Sequence, residues 1–269
     1  MITLIIAVAL GGGTFVVAHG AGDVGLGWSI FFGFAAFAAF QAIFGYVMKK
    51  RVQRDMEGVQ RILVEGQKRI QAKMQRWQIR PPGSIQAAQK EIFEDTKVFV
   101  KEALAQTETL WRYRLWVPMM GRQIATAKFQ LCWMIKDFKQ VDALMPKALF
   151  MDPTMTAMKM ARLYMTGGDS AAIEKVYAKG VRRVRYNGNV LLAATMSWIL
   201  VQRGDVDGAF RTLTEALKKS DDATLKRNHE QLMNNRVAHF SNTGLGDQWY
   251  ALQLEEPKVH MQRQRSVYR

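Results

Sequence analysis

Residues 1–48 contain no lysine or arginine, and Asp23 is their only carboxylate. The whole chain has one cysteine and four histidines, and its 23 acidic residues are outnumbered by 38 basic ones. The lone Cys132 excludes an intramolecular disulfide and any zinc site built on cysteines. His19, His229, His239 and His260 have no ligand-like spacing, and His229 and His239 stand ten apart without the glutamate framing of a metalloprotease helix. There is no P-loop and no nucleophile elbow. An apolar run leads into Gly11-Gly12-Gly13, but Val16 stands where a dinucleotide fingerprint needs its third glycine. Asp205 and Asp207 share a predicted helix start, where carboxylates cap free N–H groups and complement the helix dipole. The expectation is a protein that is not an enzyme and uses no metal or cofactor.

The same segment holds two long uncharged apolar runs, Ile2–Ala18 and Trp28–Met48, the second followed at once by Lys49-Lys50-Arg51. A run of about 17–25 apolar residues matches the thickness of bilayer hydrocarbon. A secretory signal peptide normally begins with a basic region, which is missing here. The reading is a pair of spans over residues 1–48. Cytoplasmic flanks carry the excess of Lys and Arg. The connection His19–Gly27 has none, whereas 49–80 has ten basic residues against three acidic ones. Both termini are therefore expected in the cytoplasm. Phe34, Phe37, Phe40 and Phe44 line one face of the second run, and Ala35, Ala38, Ala42 and Gly45 a neighbouring one. Small residues allow close helix approach in lipid, so Gly11–Gly13 is expected to receive the Phe stripe.

Beyond Arg51, Val52, Met56, Val59, Leu63, Gly66 and Ile70 are spaced alternately four and three apart, an a/d pattern over nearly three heptads. It predicts a juxtamembrane helix over 49–80 that is amphipathic and polybasic, with coiled-coil self-association into a homo-oligomer as a second use of the stripe. Arg80-Pro81-Pro82-Gly83 ends that helix. Ser84 then caps another, running to about Leu110, and residues 81–121 form a linker and stalk helix. Aromatic and basic residues interleave in Trp111–Trp116 before Val117-Pro118 breaks the helix. That stretch is expected to pack the stalk onto the next domain.

The C-terminal half repeats itself. Lys136-Asp137-Phe138-Lys139-Gln140-Val141 aligns without a gap to Gly204-Asp205-Val206-Asp207-Gly208-Ala209 at a spacing of 68. Gly168-Asp169-Ser170 lies between them, at offsets of 32 and 36. Each unit reads helix, tight turn, helix. Asp222–Phe240 reads as one more helix, and Gln248–Leu254 as a short terminal one. Over roughly 122–222 this resembles the tetratricopeptide-repeat family. Ala161, Tyr164, Tyr177 and Gly180 fall on the family's small and large packing positions, as do Ser197, Leu200, Ala209, Leu213 and Ala216. The first unit departs from the pattern, with Phe129 and Val141 at small positions and Pro146 inside its second helix.

The resemblance implies a concave groove lined by the first helix of each pair. Its residues here would be Gln130, Trp133, Met155, Met158, Arg162, Met165, Leu191, Ala194, Trp198 and Val201. Nine of the 16 methionines lie between Met119 and Met165, and methionine suits adaptable binding surfaces. Two basic clusters stand out besides: Lys49, Lys50, Arg51 and Arg54, and Lys179, Arg182, Arg183 and Arg185. Both are candidate sites for anionic lipid headgroups or an acidic partner. The expected fold is all-α: a transmembrane hairpin, a helical stalk, a tetratricopeptide-like domain over 122–256 and a basic tail over 257–269. The layout resembles bacterial inner-membrane tetratricopeptide proteins. That resemblance implies a scaffold, adaptor or accessory subunit that holds a protein partner at the membrane. A net charge of +15 also admits a membrane-tethered nucleic-acid binder, although topology alone explains the basic residues that follow a span.

Overall fold

A computed structural model describes residues 2–21, 25–79, 82–184 and 189–257. The described residues are helical throughout, with no strand among them, as expected of an all-α chain. They form two compact units, Met1–Leu149 and Phe150–Arg269, which are taken separately below. The division falls inside the repeat-bearing stretch, so the first helix pair belongs with the stalk. The basic tail beyond Pro257 lies outside the described residues, as do Arg80 and Pro81 of the linker.

In the first unit, α1 (Ile2–Ala21) and α2 (Leu26–Ile79) form an antiparallel pair. Both are long and apolar enough to cross a membrane. Only 17% of the most apolar stretch of α1, and 6% of that of α2, is buried inside the protein. A core helix of a soluble domain would show the reverse. Two polar side chains here bond to backbone one turn back: Thr14 Oγ1 donates to the Leu10 carbonyl at 2.8 Å, and Ser29 Oγ to the Gly25 carbonyl at 3.4 Å. The helices approach most closely at glycines. A Cβ on Gly11 would stand 2.9 Å from the Gly33 carbonyl oxygen, and one on Gly33 would stand 2.8 Å from that of Gly11. Phe37 packs over Gly11 and Phe15 over Gly33. The crossing therefore uses Gly11 and Gly33 rather than the whole glycine triplet. Phe34, Ala38, Ala42 and Gly45 face outward.

Helix α2 runs unbroken for 54 residues, about 80 Å at 1.5 Å per residue. Its a/d stripe is consumed within the chain. Helix α3 (Ile85–Glu108) folds back along it, capped by Ser84 Oγ, which accepts from the Ala87 amide at 3.1 Å. Val59, Phe99, Val100 and Ala103 form a buried cluster with Leu131 of α4 (Met120–Met134), and Ile62, Leu63 and Ile70 pack around it. Gly66 is buried because Phe99 lies directly on it: an added Cβ would overlap the ring. Lys73 bridges Glu91 at 2.8 Å and also Asp95, pinning the far end of the helix pair. After α3 the chain tightens into a 3₁₀ turn, Thr109–Tyr113, and a second cluster forms from Leu110, Tyr113, Met120 and Ile124 against Met48, Val52 and Met56. The unit ends with α5 (Phe138–Leu144), and Pro146 lies just beyond that helix rather than inside it. Cys132 is buried, with Sγ 3.6 Å from Gln140 Oε1, and burial first, then the Asp137 carboxylate, pushes its thiol up to about 11.

The second unit packs α6 (Pro153–Met165), α7 (Ser170–Arg183), α8 (Asn189–Gln202), α9 (Val206–Leu217) and α10 (Ala223–Met233). α6 touches both α7 and α8, α7 touches α8, and α9 lies between α8 and α10. α8 is apolar all round, and Leu191–Leu200 is buried without interruption, as a central helix requires. Gly180 lets α7 into the notch between Thr156 of α6 and Leu192 of α8, where a Cβ would stand 2.9 and 3.0 Å from their methyl carbons.

The repeated turns share one local geometry. Lys136, Gly167 and Gly204 take positive φ, at 58°, 71° and 83°. The Asp137 and Asp205 side chains then cap the next helix by accepting the Gln140 and Gly208 amides. The Asp137 and Asp205 amides also donate to the Cys132 and Leu200 carbonyls, 68 residues apart in both members. α10 ends at Met233 and not at Phe240, with a 3₁₀ turn at Val237–His239. The last helix, α11, spans only Asp247–Tyr250.

Gly66→Ala is expected to destabilise the first unit by about 1–3 kcal/mol through overpacking against Phe99. Adding Phe99→Leu should recover part of the loss. Thermal unfolding of the full chain in detergent measures both.

Candidate functional site

The richest juxtaposition of charge, aromatic surface and cavity lies at the foot of the apolar hairpin, where α2 turns from apolar to basic. Three segments meet there. The Ile2 amide donates to the Leu115 carbonyl at 3.2 Å, and Thr3 Oγ1 to the Trp116 carbonyl at 3.3 Å. The Trp116 ring lies 5.5 Å from that of Phe44. Thus the Trp111–Trp116 stretch closes the foot of the hairpin and anchors α3 and α4 to it. Met119 takes φ 59°, the left-handed turn that starts α4 at this level.

One helical turn beyond Arg51, the partly buried Asp55 carboxylate accepts from Tyr113 Oη at 2.8 Å and from the Arg112 guanidinium through the same oxygen. Arg112 also lies over the Tyr113 ring, 4.9 Å from its centre. Burial, then the Asp55 carboxylate, raises the Tyr113 pKa above 10.0. The Asp55 hydrogen bond raises that of Arg112. Asp55 has the only carboxylate lining a cavity of about 310 Å³ whose other walls are Arg51, Arg54, Arg112 and Tyr113.

Of the basic residues expected from sequence, Lys49, Lys50, Arg51 and Arg54 are exposed on α2 around this foot. Lys179, Arg182 and Arg183 are exposed on α7 of the second unit, and Arg185 lies outside the described residues. Arg183 has a packing role, donating to the Phe150 carbonyl at 3.1 Å. Lys159, 4.7 Å from the centre of the Phe150 ring, has its pKa lowered by burial and then by Lys179.

Most residues expected in the groove are core. Trp133, Met155, Met158, Leu191, Ala194 and Trp198 are buried, Arg162, Met165 and Val201 are half-buried, and Gln130 is exposed. Gln130 and Trp133 belong to the first unit and the other eight to the second. Trp198 is covered by the chain itself. Its ring meets Tyr164 and Trp249 edge-on, at 5.3 and 5.8 Å. The indole N–H groups of Trp198 and Trp249 donate to the two oxygens of Glu255, at 2.8 and 2.7 Å. A second lock is polar: Asn228 Nδ2 donates to Asn242 Oδ1 and Asn242 Nδ2 to the Ala194 carbonyl, all buried.

Sequence reasoning took Arg112 and Tyr113 only as part of the interleaved Trp111–Trp116 stretch, and it did not single out Asp55 or Glu255. Asp55 carried a signal: it shares the helical face of Val52, Met56 and Val59, an acid beside an apolar stripe in a basic run. Glu255 carried none, since its partners are 57 and 6 residues away.

No family model matches the chain, and no curated protein or solved structure matches it.

Two tests follow from these contacts. The unfolded Tyr113 phenol ionises at lower pH than the folded one, so its share of stability is complete below pH 10.0 and declines as pH rises from there through the folded value. Tyr113→Phe should flatten that decline and lower the neutral-pH unfolding midpoint by about 2–4 °C. In the second unit, Glu255→Ala leaves two indole donors without their acceptor and should cost about 1–3 kcal/mol. Tryptophan emission should shift to longer wavelength, and unchanged emission and melting would show that Glu255 holds nothing.

Proposed function

We propose that this protein is a membrane-anchored scaffold or accessory subunit, which fixes a helical platform at the cytoplasmic face and holds a partner protein there. The observation that carries the reading is α2. A helix with an uncovered apolar half continues without a break into a half packed by α3, the 3₁₀ turn and α4. An uncovered apolar surface of that extent favours lipid over water. The excess of Lys and Arg after Met48 favours a cytoplasmic stalk, and the lack of charge in the hairpin speaks against an ion or substrate path.

The tetratricopeptide-like reading is supported in the second unit by the contacts of α6 with both α7 and α8, by the small residues Ala161, Gly180, Ala209 and Ala216 at helix contacts, and by the recurring turns. Such helix pairs are commonly used to bind proteins. Because Trp198 and its neighbours are buried, contact energy in the second unit falls on the half-buried Met165 and Val201, together with the exposed cations of α7.

Alkaline carbonate washing of membranes should leave the full chain in the membrane pellet. Affinity purification in mild detergent should then recover a stoichiometric protein partner that is lost when residues 150–257 are deleted. Release by carbonate would refute the anchor. A partner set unchanged by the deletion would refute the platform.

A further inference from the structure

The foot of the hairpin also holds an apolar cleft of about 410 Å³, lined by Leu4, Phe44, Gly45, Met48, Val52 and Trp116 among others. That volume lies within the range, about 300–1,000 Å³, of cavities that take small molecules. At one edge the lining reaches Lys49 and Gln53. The same two residues line a neighbouring cavity with Tyr46, Lys50, Arg54 and Glu57, and Arg54 in turn borders the cavity of Arg51, Arg112 and Tyr113. The shared lining residues place the apolar walls beside a rim of cations.

The rim is electrostatically unbalanced. Of its two carboxylates, Asp55 is paired with Arg112 and bonded by Tyr113, whereas Glu57 accepts only from the neutral Gln53 amide at 3.1 Å and keeps its charge. Among the described residues, Lys49, Lys50, Arg51 and Arg54 make no hydrogen bond or ion pair, and these four exposed cations outnumber Asp55 and Glu57, the carboxylates that share their cavities. Such a group attracts an anion. Its position at the end of an apolar cleft favours an anion joined to an apolar chain.

We infer that this foot binds one anionic glycerophospholipid, with an acyl chain along Phe44, Gly45, Met48 and Trp116 and the phosphate at Lys49, Lys50 and Arg54. The inference rests on the membrane-anchor reading and adds to it a defined lipid site. Trp116 acts as the fixed wall, because the Phe44 ring and Thr3 hold it in place. Gly45 also lines the cleft, and a Cβ on it would meet no atom within 4 Å, so the space beside it is open.

The test uses the full chain, purified in mild detergent, with phosphatidylglycerol or phosphatidylcholine of identical acyl chains added at equal concentration and bound lipid counted by native mass spectrometry. One phosphatidylglycerol should be retained at least roughly tenfold better than phosphatidylcholine. Lys50→Gln with Arg54→Gln, both exposed and unpartnered, should abolish that preference while leaving weak binding of both lipids. Gly45→Phe should fill the cleft and reduce both, with helix content unchanged by circular dichroism. Equal retention of the two lipids, or a preference that survives Lys50→Gln with Arg54→Gln, would overturn the inference. Displacement of the lipid by an equal concentration of glycerol 3-phosphate would overturn the acyl cleft and leave only an anion site. Carbonate washing separates the two failures. A chain that stays in the membrane but shows no lipid preference refutes the lipid site alone, whereas a chain released by carbonate refutes the anchor as well.

Discussion

The burial of one helical stripe governs the first unit. Val52, Met56, Val59, Leu63, Gly66 and Ile70 cannot remain wet on a helix of this length, and each neighbouring element is placed by the need to cover them. α3 covers the distal part, and its register is set by one steric event, the seating of Phe99 on Gly66. The 3₁₀ turn and the start of α4 cover the proximal part, where Asp55 gathers Arg112 and Tyr113. Because the covering segments return to the start of the stripe, they also reach the hairpin and bring Trp116 onto Phe44. The apolar and polar halves of α2 are thereby joined by packing as well as by chain continuity.

Much of this architecture was legible in the residues. The first 48 residues, with Asp23 as their only charged side chain, the abrupt basic onset and the 4-3 spacing mark two long apolar helices and the buried face of the second, because apolar run length and helical pitch are written directly in sequence. Two of the three turns were legible because a left-handed residue followed at once by a capping Asp, as at Lys136-Asp137 and Gly204-Asp205, is a local requirement; in the third the left-handed residue is Gly167, and Asp169 makes no side-chain cap. What the stripe packs against was not legible, since an a/d pattern is equally suited to a partner in another chain or in the same one. Gly66 looked like a defect in the pattern until Phe99, 33 residues on, was placed against it.

The candidate sites divide in the same way. The cations at 49–54 are exposed as their position suggests, because a charged side chain beside an apolar segment has solvent as its cheapest surroundings. The supposed groove was harder to read. Met, Ala, Leu and Trp at helical spacing are equally compatible with a binding face and with a core, and α8 is a core. The residue that decides the matter at Trp198 is Glu255, too distant in sequence for any periodicity to show.

The buried Cys132 has a practical corollary. A thiol shielded from solvent and held protonated at ordinary pH reacts slowly with aqueous alkylating reagents, because the thiolate is the reactive species. The native chain thus serves as a quiet background for site-directed labelling. Single cysteines introduced at solvent-facing positions such as Lys50 or Lys179 would report their side of a bilayer to an impermeant maleimide without first removing the natural one.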